Sequence, residues 1–409
     1  MKVTRRALLV AAGSLPLQGN LVAAAVQDPP TTVLPAKDAF APTPITYLNS
    51  AAWHPISLGA RRAVEDYLAH KSLDPRQRHF DIDDKRTRAV RAFARLINAD
   101  GDEVCFVQST TAGENLVVQA LDLPAGSRVV IDALHFPGSF YLYQELGRRG
   151  IEVVTLRPRD NRIALDQIEA AVSNNTRLVA LSLVSMVNGF EHDLTAVCDI
   201  AHAKGALVYA DLAQAAGSVP IDVKASGVDF AACATYKWLM GDMGLGFLFV
   251  RKAVLPRLRR PWFGYRQIGR STTHIYPYDP PGDSLFELVQ RTNTAGYFEM
   301  GTTANAVAVQ LAYSLEWLLR IGVETIRSYR QPMLAALQQG LARRGLEPMT
   351  PPETTAPLVA FACRNARQRF GPRLEAANID IALSEHRLRV SPSIFNDMND
   401  VDRFLEALS

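Results

Sequence analysis

Short apolar runs separated by longer amphipathic stretches recur along most of the chain. Residues 103–107, 129–132, 178–185, 205–211 and 245–250 are rich in Val, Leu, Ala and Phe and too short for typical helices, which is the pattern of buried strands. Residues 222–230 lead into one further strand ahead of Lys237. Between these runs the spacing is helical. Residues 59–98 carry many arginines and acids on exposed faces. Ser109 opens a helix with apolar positions at Leu116, Val117, Ala120 and Leu121, and another helix spans 306–321. Strands alternating with helices predict an α/β fold whose sheet is mainly parallel, with active-site loops at the carboxyl edge of the strands. Residues 262–297, rich in Tyr, Pro and Gly, read as an irregular, substrate-facing loop region.

At 409 residues and 48% apolar composition, the chain can bury a large core and divides naturally into one large and one smaller domain. Three of its 44 basic residues, Lys2, Arg5 and Arg6, lie in the first 25 positions, which hold no acid. The remainder balances its 41 acids, so there is no nucleic-acid footprint, and Arg257 to Arg260 read as a solvated face. Cys105, Cys198, Cys233 and Cys363 form no C-x-x-C pair and sit among apolar residues, as core thiols do. The eight histidines lack ligand spacing, so no metal is expected. Thr4-Arg5-Arg6-Ala7-Leu8-Leu9, a weakly apolar run to Leu17 and then Ala23-Ala24-Ala25 resemble a twin-arginine export signal over residues 1–25. That implies the twin-arginine translocase as a partner and a periplasmic location. The run is too short for a stable membrane span. A proline-rich linker follows over 26–46.

The candidate chemistry centres on Cys233-Ala234-Thr235-Tyr236-Lys237-Trp238-Leu239-Met240-Gly241, where one lysine sits among apolar, aromatic and glycine residues. An amine with an ordinary pKa of about 10.4 becomes a nucleophile when its surroundings disfavour the ammonium form. Upstream, the apolar run beginning at Gly205 ends in Asp211, 26 residues before Lys237. A strand ending in an acid, followed by a lysine on a glycine-bounded turn, matches a pyridoxal-phosphate site in which the lysine holds the aldehyde and the acid pairs with the ring nitrogen. The segment Ser109-Thr110-Thr111-Ala112-Gly113 adds free amides and hydroxyls at a helix start, a ready phosphate site.

Together these motifs resemble the class V aminotransferase and cysteine desulfurase superfamily, fold type I, over nearly the whole mature chain. The resemblance implies a large domain (47–300) with a mainly parallel seven-stranded sheet, a smaller α+β domain (301–409), pyridoxal 5'-phosphate as cofactor and a homodimer. It implies Lys237 as the catalytic residue, Thr110 and Thr111 on the phosphate, and Gln214 on the phenolic oxygen. Phe136 stacks on the ring, with His135 as the alternative, since desulfurase-like relatives carry a histidine there. By the same resemblance Thr302 would reach the other subunit's phosphate, Arg389 would fork onto the substrate α-carboxylate, and Asn49, in the opening strand-and-turn segment, would be a further substrate contact. Two positions depart from the pattern: Ala234 stands where many relatives have serine, and Tyr236 replaces a histidine, leaving its hydroxyl as the donor. Tyr236-Lys237-Trp238 resembles the isopenicillin-N-epimerase-like branch.

The implied activity is chemistry at Cα of an amino acid or amino-acid-containing substrate: transamination, epimerisation, or C–S or β-elimination. Cysteine desulfuration is discounted because Ile394 stands where relatives carry the persulfide cysteine. The rival reading is a non-catalytic exported binding protein on a decayed enzyme scaffold, for which Ala234 is the best support.

Overall fold

Seven short strands make the central sheet of the computed structural model, which describes residues 32–74, 76 and 80–409. The export signal and the start of the linker lie outside the described residues. The strand order is Val104–Val107, Gly246–Val250, Phe230–Ala234, Leu207–Asp211, Thr176–Ser182, Arg128–Asp132, Glu152–Leu156. Every pairing is parallel except the two made by Gly246–Val250, which runs against both neighbours. Glu152–Leu156 is the strand that the hydrophobic pattern did not announce. As an edge strand it is only partly buried, and Glu152 and Thr155 interrupt its apolar run.

The side chains of this sheet divide between two cores with period two, as strand geometry requires. Phe106, Val179, Val208, Ala231 and Phe247 enter one core, with the helices Ile82–Leu96 and Asn305–Ile321. Their neighbours Cys105, Leu178, Leu207, Ala232 and Leu248 enter the other, with the helices Thr110–Leu121 and Ser139–Arg148. Phe93 stacks on Phe247 with centroids 4.2 Å apart and both rings fully buried. Each such ring contributes on the order of 1.5–3 kcal/mol. Coverage on both faces explains why the interior strands are predominantly apolar.

A four-stranded antiparallel sheet follows in the order Glu347–Pro348, Val359–Ala362, Arg387–Val390, Ala382–Leu383, covered by the helices Val323–Ala342 and Met398–Ala407. The opening strand Thr46–Tyr47 pairs in parallel with Ile379–Asp380, so the two ends of the described chain meet. Residues 262–297 correct the expectation of irregular structure: Ile268–Thr273 and Phe286–Gln290 form an antiparallel hairpin. Phe286–Gln290 is exposed along its whole length, so burial left no apolar block to mark it in the sequence. Among the described residues no single helix is long and apolar enough to cross a membrane.

Candidate active site

The carboxyl ends of the parallel strands converge because Ser182 is in register with Asp211, and Asp211 with Ala232. Strand Phe230–Ala234 then runs into a tight turn that carries Lys237. The Thr235 hydroxyl bonds the carbonyls of Asp242 and Leu245 at 2.6 and 2.9 Å, and the Gly241 amide donates to Thr235 O at 2.8 Å. Met240 takes a left-handed conformation, and its carbonyl accepts from Gln310 and Ser314 of the helix Asn305–Ile321. On the other side lies Gly217, with φ +86°, where an added Cβ would come within 2.6 Å of the Trp238 carbonyl oxygen. Only glycine combines that backbone with that approach. Lys237 therefore stands on a turn braced from three directions.

Lys237, Asp211, Gln214, Phe136, Thr110, Thr111 and Tyr236 all line one cavity, with Ala234 and Ser182 among them. Lys237 is 8% exposed, and burial lowers its amine below the ordinary lysine value against the opposing pull of Asp211; nearby Arg389 lowers it further. Asp211 is buried too. Burial raises its carboxyl, while His135 and Lys237 work the other way. Its Oδ1 accepts from the Ala213 amide at 2.8 Å and its Oδ2 from the Ser182 hydroxyl at 3.4 Å. Gln214 accepts from Trp238 Nε1 at 2.9 Å and donates to Ala51 O at 3.0 Å, which leaves one amide hydrogen for a ligand.

Ser109 caps the helix Thr110–Leu121, accepting from the Ala112 amide. Thr110 accepts from the Ala234 amide at 2.8 Å and keeps its own hydroxyl hydrogen, while Thr111 is exposed at the cavity. Phe136 borders the cavity, whereas His135 is wholly buried behind it. The Lys237 amine lies 5.5 Å from the centroid of the Tyr236 ring.

Three expected residues do not line the cavity. Arg389 is 4% exposed on the strand Arg387–Val390. Its Nη1 donates to the carbonyl of Met186, a cavity residue, and its Nε is buried without a partner. Asn49 does not line the cavity. Its backbone bridges Ser391, its side chain bonds Asp380, and its Oδ1 is buried without a partner. Thr302 is exposed and borders a separate cleft with Gln108 and Gly244. The sequence reading missed Ser182 and Met186 as cavity residues; the signal available was that Ser182 closes a parallel strand and Met186 lies just beyond its carboxyl end. All four cysteines are buried and free, and none lines the cavity.

This donor set fits pyridoxal phosphate. It offers a buried amine that desolvation lowers below the ordinary lysine value, a buried acid, an aromatic face, and a helix N-terminus with hydroxyls for a phosphate. A class-V aminotransferase profile matches residues 46–404. The chain is 28% identical over 371 residues to the uncharacterized aminotransferase YcbU of Bacillus subtilis, covering 89% of this chain and 94% of that protein. A cysteine desulfurase of Escherichia coli O127:H6 is 30% identical over 341 residues, covering 78% and 80%. The crystal structure of the cysteine desulfurase CsdA from Escherichia coli has a TM-score of 0.80 at 22% identity, covering 91% and 97%. The fold, the cavity and these matches together show that the chain belongs to the class-V aminotransferase family and is a pyridoxal-phosphate-dependent transferase or lyase.

Proposed function

We propose that this is an exported enzyme acting at Cα of an amino acid or amino-acid-containing substrate, of the isopenicillin-N-epimerase-like branch, and that it works as a homodimer in the periplasm. The observation that carries the reading is that Lys237 and Asp211 face one cavity while burial lowers the amine below the ordinary lysine value. When bound, pyridoxal phosphate supplies an electron-withdrawing ring that stabilises negative charge developing at Cα. The chain's residues do the rest. Lys237 would hold the cofactor by its aldehyde carbon and, once freed, its neutral amine takes and returns the Cα proton. Asp211 would hold the ring nitrogen. Thr110, Thr111 and Tyr236 would hold the phosphate, with Thr302 donated from the partner subunit; Phe136 would lie against the ring and Gln214 beside its oxygen.

Arg389 is the anchor for the substrate carboxylate. Its buried, unpartnered Nε asks for an acceptor, and a guanidinium forks onto a carboxylate as an ammonium does not. Desulfuration through a protein thiol is not part of the reading, since Ile394 is itself buried and every cysteine is inside. The exposed apolar strand with Phe286, Leu288 and Val289 supports a second copy as partner. Export rests on the paired arginines Arg5 and Arg6.

The test is a spectrum followed by a substrate panel. Purified protein should show a visible band that borohydride removes, and amino acids should then be scored for amine transfer, racemisation and elimination. A colourless protein that takes up no added pyridoxal phosphate would overturn the reading and favour the non-catalytic binder.

A further inference from the structure

Behind the cavity, a line of buried polar groups runs from the helix Thr110–Leu121 to Asp211. Glu114 is 2% exposed, and its carboxylate takes His135 Nε2 at 2.9 Å, the Tyr143 hydroxyl at 2.7 Å and the Ser139 hydroxyl at 2.5 Å. Burial pushes Glu114 up, but His135, Ser139 and Tyr143 outweigh it and hold the group below its usual value. An ionised carboxylate only accepts, so His135 Nε2 carries a hydrogen. On the far side of the imidazole, Nδ1 lies 2.9 Å from Ser182 Oγ, and that oxygen lies 3.4 Å from Asp211 Oδ2. Ser182 and Asp211 face the cavity, while His135 does not line it and meets it through its contact with Ser182.

Ser182 has one hydrogen to give. If Nδ1 is bare, it takes that hydrogen, and Asp211 Oδ2 faces a lone pair. If Nδ1 is protonated, it donates to Ser182, and the hydroxyl is free to turn to Asp211. The long 3.4 Å contact is thus the end of the line that can be won or lost. The groups facing the imidazole favour the cation. Glu114 and Tyr143 come from the two flanking helices, Asp132 from a strand end where it also meets His192, and Asp211 from the next strand end but one. Burial works against protonation of His135, and Glu114, Asp211 and Asp132 overcome it.

We propose that His135, held as an imidazolium by Glu114, is a positioning residue that acts through Ser182 to keep Asp211 ionised and aimed at the cofactor ring. The proposal rests on the reading that Asp211 partners the ring nitrogen. It adds a buried support reaching from the phosphate-side helix to the acid, so that one helix carries both the phosphate donors and the counter-charge.

Nitrogen NMR of the holoenzyme with isotope-labelled histidine, together with its visible spectrum against pH, tests this. His135 should keep both ring nitrogens protonated at pH values above the ordinary histidine value of about 6.5. Ser182→Ala should leave that signal in place yet move the pH midpoint of the visible band by roughly 1 unit or more, a differential interaction of about 1.4 kcal/mol. Glu114→Gln should neutralise His135 and move the same midpoint. A neutral His135 in the unaltered enzyme near pH 7 would overturn the proposal, and that measurement needs no variant to fold. So would unchanged spectra in both variants while Asp211→Asn alters the band. An Asp211→Asn enzyme with the original band would instead overturn the ring-partner reading, and the His135 role with it.

Discussion

Arg389 Nη1 donates to the Met186 carbonyl at 3.0 Å, tying the four-stranded sheet to the rim of a cavity built by the seven-stranded one. The same guanidinium is buried enough to be lowered to about 10, with burial the main cause and Arg387 adding to it. A buried cation held by one carbonyl and keeping an unpartnered Nε is poised to take an anion.

Arg389→Lys should therefore raise KM for substrates bearing an α-carboxylate by about 10-fold or more, since one charge-assisted hydrogen bond is worth roughly 1.5–3 kcal/mol. The visible band should stay. Steady-state kinetics on any accepted amino acid decide it, and an unmoved KM would remove Arg389 from the site.

Lys237→Ala should lower turnover at least ~10²-fold, the lower bound for a positioned proton-transfer group. It should also remove the band that borohydride bleaches. The fold should survive, because the change deletes a buried amine whose burial already opposes its charge. Activity, absorption and thermal unfolding of one preparation give the three readings together.

Gly217→Ala should cost roughly 1–3 kcal/mol, because alanine is strained at φ +86° and its Cβ meets the carbonyl next to Lys237. Urea unfolding measures the cost. Cofactor retention should weaken in parallel, as the turn carrying the lysine must shift to make room.

His54 gives a stability signature with acid. It is fully buried, bonded through Nε2 to Ser393 at 2.7 Å, and burial lowers it to about 4. Between about pH 4 and about pH 6.5 the unfolded chain binds the extra proton and the folded one does not, so stability rises with pH across that window. The contribution is full above the window, gone below it, and on the order of 3 kcal/mol. Unfolding midpoints at several pH values should show the slope, and His54→Gln should flatten it.

Export and cofactor loading should be linked. Pyridoxal phosphate is a cytoplasmic metabolite and the twin-arginine route carries folded proteins, so on the proposed route the chain would fold around its cofactor before leaving. Arg5→Lys with Arg6→Lys should strand active, loaded enzyme in the cytoplasm. Cell fractionation with an activity assay checks it; normal periplasmic activity in the double variant would reject the route.

The sequence by itself determined the α/β alternation and the pairing of a strand-end acid with a turn lysine. Both signals are local: apolar runs buried on two faces, Asp211 closing one of them, and Lys237 next to the glycines and the strand that fix its turn. Tertiary structure alone decided what stands behind those residues. The partners Glu114 and His135 are 21 residues apart, and Arg389 and Met186 are 203 apart. Nothing in the local pattern of either says that the other will be opposite it. The same holds for Asn49, whose backbone bridges Ser391 outside the cavity, and for Gly217, whose need for glycine appears only once Trp238 lies against it. The exposed hairpin was hidden for the opposite reason: a strand exposed along its length lacks the buried apolar block by which the others announce themselves.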